Sequence, residues 1–324
     1  MRSDERLIIK LPVQYCSTES ARLLSVLKRG AHDAIDKEGE MNRRSIVRPV
    51  LKIVLMLAGA AVYGNAQWVN YPTPGIPRTH DGKPNLSAPA PRASDGKPDL
   101  SGLWQVEPTP LPELTRLFGD LSAFSVPGDD VTQLNKYAIN TLADFKPDEA
   151  PMRPHTAAVL RQQQNTPSKN PCLPAGFPFI YLLPYTFKVI QAPGLIAVLQ
   201  EFGWNFRQIY TDRRKPPADP QPLWQGYSVG NWEADTLVVD TTGFNDKTSL
   251  DAFGHPHSEA LHLTEHFRRR DFGHLDVEVT VDDPKMYTKP FTIKFTDALL
   301  PDTDILEFVC EENEKDLRHL ITRQ

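Results

Sequence analysis

The 324-residue sequence has little cysteine, and its three cysteines are widely spaced. Cys16, Cys172 and Cys310 form neither a CxxC pair nor a CxxCH segment, which excludes the usual thiolate zinc sites and covalent haem attachment. The sequence also lacks a phosphate loop, a dinucleotide fingerprint, a GxSxG elbow and an HExxH pair. These absences remove the common nucleotide, flavin and haem classes and the commonest hydrolase signatures.

Positive charge is not in excess either. The net charge is −5, with 36 basic against 41 acidic residues, and a nucleic-acid-binding protein needs a basic surface. We therefore expect no nucleic-acid partner.

Long apolar runs are missing too, because the run Ile53–Val62 is half of the roughly 20 residues that a spanning helix needs. Basic residues precede this run, and Gly64 and Ala66 follow it, which is the order of a signal peptide. The sequence predicts a signal peptide at 41–66, cleavage after Ala66 and no membrane span afterwards; the alternative is a membrane anchor. We expect an exported protein, either periplasmic or extracellular. Residues 1–40 are then a mis-called leader, or alternatively a genuine extended one.

Two cysteines remain in the mature chain, in a compartment that is oxidising. Cys172 and Cys310 are predicted to form a disulfide, and two free buried thiols are the alternative.

Proline is abundant, and it clusters in residues 67–100, which are predicted to be an extended arm. In this arm DGKPNL at 81–86 recurs as DGKPDL at 95–100, and each Asp-Gly predicts a turn. Residues 101–324 are predicted to form the folded domain. Its first strand opens at Gly102-Leu103-Trp104. Two helices are predicted to follow, at Leu111–Phe124 and Asp130–Phe145, and a proline-rich passage after them predicts no further helix.

Short strands then follow one another, separated by turn signals. They are predicted at Phe179–Leu183, Thr186–Gln191, Leu195–Phe202, Asn205–Thr211, Gly226–Glu233, Thr236–Thr242, Leu261–Arg269, Leu275–Asp282, Phe291–Phe295 and Asp304–Val309. With no helix between them, they indicate a mainly β fold, an antiparallel meander that closes into a barrel or sandwich.

Four long blocks of the mature chain resemble a family of exported bacterial proteins. The blocks are WVNYPTPGIPRTHDGKPNL ending at Leu86, DGKPDLSGLW at 95–104, YSVGNWEADTLVVDTTGFND at 227–246 and the segment 266–290. The resemblance implies export and no particular activity. The family pattern has glycine at Ala234, and arginine at His262 and His266, which argues against a functional role for those histidines.

A shorter cue is Gly102-Leu103-Trp104, which resembles the glycine-x-tryptophan signature of lipocalins. The resemblance implies a lipocalin-like barrel with Trp104 plugging its floor, and it favours a barrel over other all-β folds.

The hairpin at Leu261–Asp282 has the clearest alternation in the chain. Pairing its strands across 270–274 sets acids opposite His262, His266 and Arg268, which are favourable cross-strand pairs. The same register turns Glu265 inward, opposite Val279. Burial would raise the pKa of such a carboxyl toward that of a useful general acid or base. The alternatives are an ion pair with an inward arginine, or a bulge that turns Glu265 outward.

Other candidate residues are less specific. Asp246 ends a strand and could assist Glu265 in catalysis, whereas Asn-Asp is also ordinary turn chemistry. His255 and His257 flank a proline and could offer imidazoles to a divalent metal; we expect no other cofactor. Aromatic side chains suited to a ligand-binding interior are Trp104, Trp204, Trp232 and Phe267.

Three functions are compatible with these features. The preferred one is an exported barrel that binds a small, largely apolar molecule, its partner being that ligand. The second is a hydrolase or isomerase that uses Glu265 in the same barrel. The third is a structural or partner-binding envelope protein, for which the sequence names no protein partner.

Overall fold

A computed structural model describes residues 72–121, 130–164 and 173–305 of the protein. Thr73–Pro301 belong to one compact unit; a second unit, Cys16–Pro72 with Asp302–Asp304, lies almost entirely outside the described residues. None of the helices in the described ranges is long and apolar enough to cross a membrane.

The described residues form a closed β-barrel, which confirms the mainly β fold. Its strands, in chain order, are β1 (Gly102–Val106), β2 (Phe187–Ala192), β3 (Leu195–Gln200), β4 (Phe206–Tyr210), β5 (Tyr227–Glu233), β6 (Thr236–Thr242), β7 (His262–Arg269), β8 (His274–Asp282) and β9 (Phe291–Leu299). Each strand pairs with the next, and β9 closes on β1.

Alternation of side chains explains where the core sits. Along β8, Leu275, Val277, Val279 and Val281 are buried while the residues between them are partly exposed, as the period of two requires. Together with the inward residues of β3, β6, β7 and β9 they fill the barrel.

One pairing departs from the predicted antiparallel meander. β4 and β5 run parallel, through only two residue pairs, Ile209 with Ser228 and Tyr210 with Val229. The proline-rich connection 211–226 is long enough to return the chain to the same end of the barrel, which a parallel pair needs.

The described residues also contain four α-helices. They are α1 (Leu111–Phe118), α2 (Lys136–Ile139), α3 (Pro154–Gln164) and α4 (Phe179–Leu182), with 3₁₀ turns at Val131–Gln133 and Phe202–Trp204.

Three predicted elements are therefore corrected. The strand expected at Phe179–Leu183 is helix α4, because a short apolar run does not distinguish a buried strand from a buried helix. The helix expected at Asp130–Phe145 is broken into a 3₁₀ turn and α2, separated at Leu134 and Asn135. Helix α3 lies in the proline-rich passage, where no helix was predicted. Its proline occupies the first turn, where the missing N–H would have no partner within the helix.

The arm contains two equivalent turns. Gly82 N–H donates to the Thr79 carbonyl at 2.9 Å, and Gly96 N–H donates to the Ala93 carbonyl at the same distance. Between the turns, the carbonyl of Leu86 accepts from Gly273 N–H at 2.7 Å. The arm thus lies against the turn between β7 and β8.

Candidate functional site

An arginine and a glutamate meet inside the barrel. Arg207 on β4 and Glu265 on β7 are both buried, at 2% and 1% exposure. Arg207 Nη1 donates to Glu265 Oε1 at 3.0 Å, and Nη2 contacts Oε2. The pair therefore has bidentate geometry in a site closed to water.

Three hydroxyls complete the cluster around the guanidinium. Arg207 Nη1 donates to the Tyr181 hydroxyl at 2.8 Å, Nη2 to Thr241 Oγ1 at 2.7 Å, and Nε to Ser228 Oγ at 2.9 Å. The Phe177 ring lies beneath, 4.4 Å from Arg207 Cζ. All five N–H donors of the guanidinium thus have an acceptor.

Protonation states in this cluster follow from burial and charge. Burial opposes the cationic form of Arg207, but the adjacent Glu265 carboxylate outweighs it and the pKa of the guanidinium is raised. Burial raises the pKa of Tyr181, so its hydroxyl is neutral. The cluster is a charge-balanced unit at ordinary pH.

The predicted register of the β7–β8 hairpin is confirmed. Arg268 pairs with Asp276, His266 with Glu278, His262 with Asp282, and Glu265 lies opposite Val279 on the inward face. Of the alternatives for Glu265, the structure shows the ion pair with an inward arginine.

Several outward side chains on this hairpin bond elsewhere than the register suggests. His262 Nε2 contacts Asp240 on β6 at 2.9 Å, and Glu278 contacts Lys294 on β9. His266 Nδ1 is buried without a hydrogen-bond partner in the described chain. A position opposite an acid in the β7–β8 register therefore does not determine which side chains form bonds, because β6 and β9, on the outer sides of the hairpin, also offer partners.

A second inward carboxyl belongs to Asp297 on β9. It is 1% exposed, and its Oδ1 has no hydrogen-bond partner within the described residues. Burial, with a smaller contribution from Glu107, raises its pKa well above the ordinary value.

A small cavity of about 20 Å³ lies in the barrel interior. All but one of its lining residues are apolar, the exception being Tyr181; the wall is formed by Leu100, Tyr181, Phe187, Val189, Ile196, Val198, Ile209, Leu237, Phe267 and Leu275. This volume admits a group about the size of a water molecule.

The predicted ligand-binding aromatics occupy different places. Phe267 lines the cavity. Trp104 is fully buried, donates from Nε1 to the Leu100 carbonyl at 3.0 Å and stacks under Arg269, whose pKa burial lowers to about 10. Trp232 is half-buried against the core. Trp204 lies in a 3₁₀ turn, and its side chain is outside the described atoms.

Within the described residues, no hydrogen bond joins the loop candidates to the Arg207 cluster. His255 and His257 are buried, and Asp246 is exposed. His255 Nδ1 contacts Asp251 Oδ2 at 2.6 Å, and the same oxygen accepts from Thr141 N–H at 2.7 Å.

His257 has different partners. Its Nδ1 faces the Ser258 carbonyl at 3.2 Å, so Nε2 accepts from the Thr248 hydroxyl at 2.7 Å, and burial lowers its pKa. In the described ranges no group of three or more His, Cys, Asp or Glu side chains is placed to hold a metal ion.

The outer surface of β2, β3 and β4 carries an apolar face, defined by Ile190, Ala192, Leu195, Ala197, Leu199 and Phe206. Ile190 is 44% and Phe206 is 63% exposed. Register places Ile190 beside Ala197 and Phe206 beside Leu199, so the face is continuous.

The predicted disulfide lies outside the described residues, since neither Cys172 nor Cys310 is described. A comparison with protein families, with curated proteins and with solved structures finds no match to this chain. The resemblances at the sequence level stay predictions.

Arg207, Tyr181 and Asp297 are absent from the sequence-based site. Arg207 alternates with Ile209 on a five-residue strand, which is a weak sign of an inward arginine. Asp297 continues the alternation of Phe291, Ile293 and Phe295, and extending that strand by two residues would have found it.

Proposed function

We propose that the protein is an exported β-barrel that binds a small, largely apolar molecule in its interior. The observation that carries the proposal is the cavity inside a closed barrel, with an apolar wall and one hydroxyl, that of Tyr181. Such a wall gives affinity through burial of apolar surface, and a few polar groups orient the ligand.

The size of the cavity defines how a ligand enters. A cavity of about 20 Å³ does not hold a ring, so a larger ligand displaces an interior side chain. Tyr181 is the side chain to move, because it is carried by the short helix α4 rather than by a barrel strand.

The catalytic alternative receives less support from the geometry. Both carboxylate oxygens of Glu265 are held by Arg207, so a proton transfer at Glu265 would break a buried ion pair. The chemistry that suits this cluster is support of the barrel and orientation of Tyr181.

The test uses methylenecyclopentane as a neutral apolar probe, with methyl-labelled protein observed by NMR. We expect shifts at the cavity-wall methyls of Ile196 and Ile209, and no shift at Ile190 on the outer face. Tyr181→Ala should enlarge the cavity and tighten binding, whereas Tyr210→Ala, a change on the outside of the barrel, should not. If only the Ile190 methyl signals shift, or if no methyl signal shifts, the proposal is wrong.

A second candidate function is self-association through the apolar face. Phe206 lies beyond the two-residue ladder between β4 and β5, so it has no register partner on β5 in the described chain. An open strand edge beside an exposed phenylalanine is a template for pairing with the same strand of a second copy.

Sedimentation equilibrium tests this second candidate. We expect a dimer that Phe206→Asp converts to a monomer, while Leu111→Asp, at an exposed leucine of α1, leaves it intact. A wild-type protein that stays monomeric at every concentration would exclude self-association.

A further inference from the structure

Asp297 occupies an inward position that its strand otherwise fills with apolar side chains. Phe291, Ile293, Phe295 and Leu299 share its face of β9, and all are buried. A carboxyl among such neighbours, with Oδ1 unpaired in the described chain, is costly unless something else bonds to it.

Two relationships place this carboxyl beside the cavity. Asp297 is the direct register partner of Leu275, which lines the cavity. The Asp297 carboxyl is also near the hydroxyl of Tyr181, another lining residue, because a charge on Asp297 would raise the pKa of that hydroxyl. Asp297 is therefore a polar group next to a nearly apolar wall.

The surroundings hold this carboxyl in its neutral form. Burial raises its pKa well above the ordinary value, and the negative charge of Glu107 acts in the same direction. A neutral carboxyl has one O–H donor in addition to its acceptor oxygen.

We propose that Asp297 donates a hydrogen bond to the single oxygen acceptor of a neutral, otherwise apolar ligand in the barrel, such as a small ketone. The inference rests on the proposed ligand binding and names the ligand class. A carboxylate or phosphate ligand does not fit, because its charge would be buried against a nearly apolar wall, and the guanidinium of Arg207 is already paired with Glu265. An amine would fit only an ionised Asp297.

A matched pair of probes isolates the hydrogen bond. Cyclopentanone and methylenecyclopentane have nearly the same shape and differ in the oxygen acceptor. We expect wild-type protein to bind the ketone about tenfold more tightly, the effect of one buried hydrogen bond. Asp297→Asn keeps a donor and should keep the preference, whereas Asp297→Leu should lose it while still binding the alkene.

The other outcomes distinguish failure of the role of Asp297 from failure of the proposed function. Equal binding of both probes in the cavity of the wild type would overturn the role of Asp297 and leave the proposed function standing. Failure of both probes to shift Ile196 and Ile209 would overturn both proposals. Tighter binding of cyclopentylamine than of the ketone would overturn the inference in favour of an ionised carboxylate.

A ligand-free measurement completes the test. The infrared spectrum at neutral pH should show a protonated carboxyl C=O band that Asp297→Asn removes. If no such band is found, Asp297 is ionised and the inference fails. This measurement also decides the question if Asp297→Leu does not fold.

Discussion

Arg207 and Glu265 form a bidentate ion pair inside the barrel, joining β4 to β7 across the interior. The two strands are not neighbours in the barrel wall, so the pair ties together parts of the sheet that no backbone ladder connects. β4 has the shorter ladder on its β5 side, and the pair anchors it from within.

Removing one partner of this pair should be costly. Glu265→Gln keeps the shape and leaves the Arg207 charge uncompensated, so we expect unfolding to become easier by about 3–5 kcal/mol. Urea denaturation followed by circular dichroism measures the change.

The matched control is His262→Ala, which removes a half-exposed contact with Asp240 and should cost less than about 1 kcal/mol. The double variant Arg207→Met with Glu265→Leu should recover much of the loss. A cost for Glu265→Gln no larger than that of the control would mean that the pair does not stabilise the fold.

His257 should make stability depend on pH. Burial lowers the pKa of its imidazole in the folded state below the ordinary 6.5, so below that pH the unfolded chain binds a proton that the folded chain does not. Stability contributed by neutral His257 is present above about pH 6.5 and is lost as the pH falls.

Denaturation of the wild type and of His257→Gln from pH 8 to pH 5 tests this. As the pH falls, the free energy of unfolding of the wild type should decrease relative to that of the variant, by at most about 1.4 kcal/mol per pH unit. His80→Gln, at an exposed position of the arm, controls for loss of an imidazole as such. A difference that does not change with pH would contradict the prediction.

The sequence predicts most of the barrel, and the reasons for its failures are physical. Alternation with charges on one face defined the β7–β8 register, because a slip of one residue would bury Arg268 and expose Phe267. Alternation could not identify α4, whose four residues are all aliphatic or aromatic and therefore show no change of polarity along the chain. It also could not give the partner of Glu265, since Arg207 is 58 residues away along the chain.

Export gives a prediction about the N-terminus. The basic, apolar and small-residue order of residues 41–66 predicts cleavage after Ala66. Mass spectrometry of the protein purified from its native envelope should find Gln67 as the first residue. Peptides from residues 1–40 on the exported protein would contradict the prediction.

The two cysteines of the mature chain give a separate prediction. In an oxidising compartment Cys172 and Cys310 should form a disulfide, because no other partner remains after cleavage. Peptide mapping without reduction should recover the linked pair. Alkylation of both thiols without prior reduction would show that they are free.

The turn between β5 and β6 gives the last prediction. Ala234 has a φ of 53°, in the left-handed region where a side chain costs about 1–2 kcal/mol and glycine costs nothing. Its two-residue loop connects Glu233 to Thr236, a hairpin geometry that favours glycine. Glycine is also the residue that the family resemblance implies at this position. Ala234→Gly should therefore stabilise the protein by about 0.5–1 kcal/mol in urea denaturation, after the greater freedom of glycine in the unfolded chain is subtracted. Gly96→Ala is the reciprocal control: its φ is 80° and a methyl group there would meet nothing within 4 Å, so backbone strain alone should destabilise it. If Ala234→Gly and Gly96→Ala change stability in the same direction, backbone strain at Ala234 is not what limits this turn.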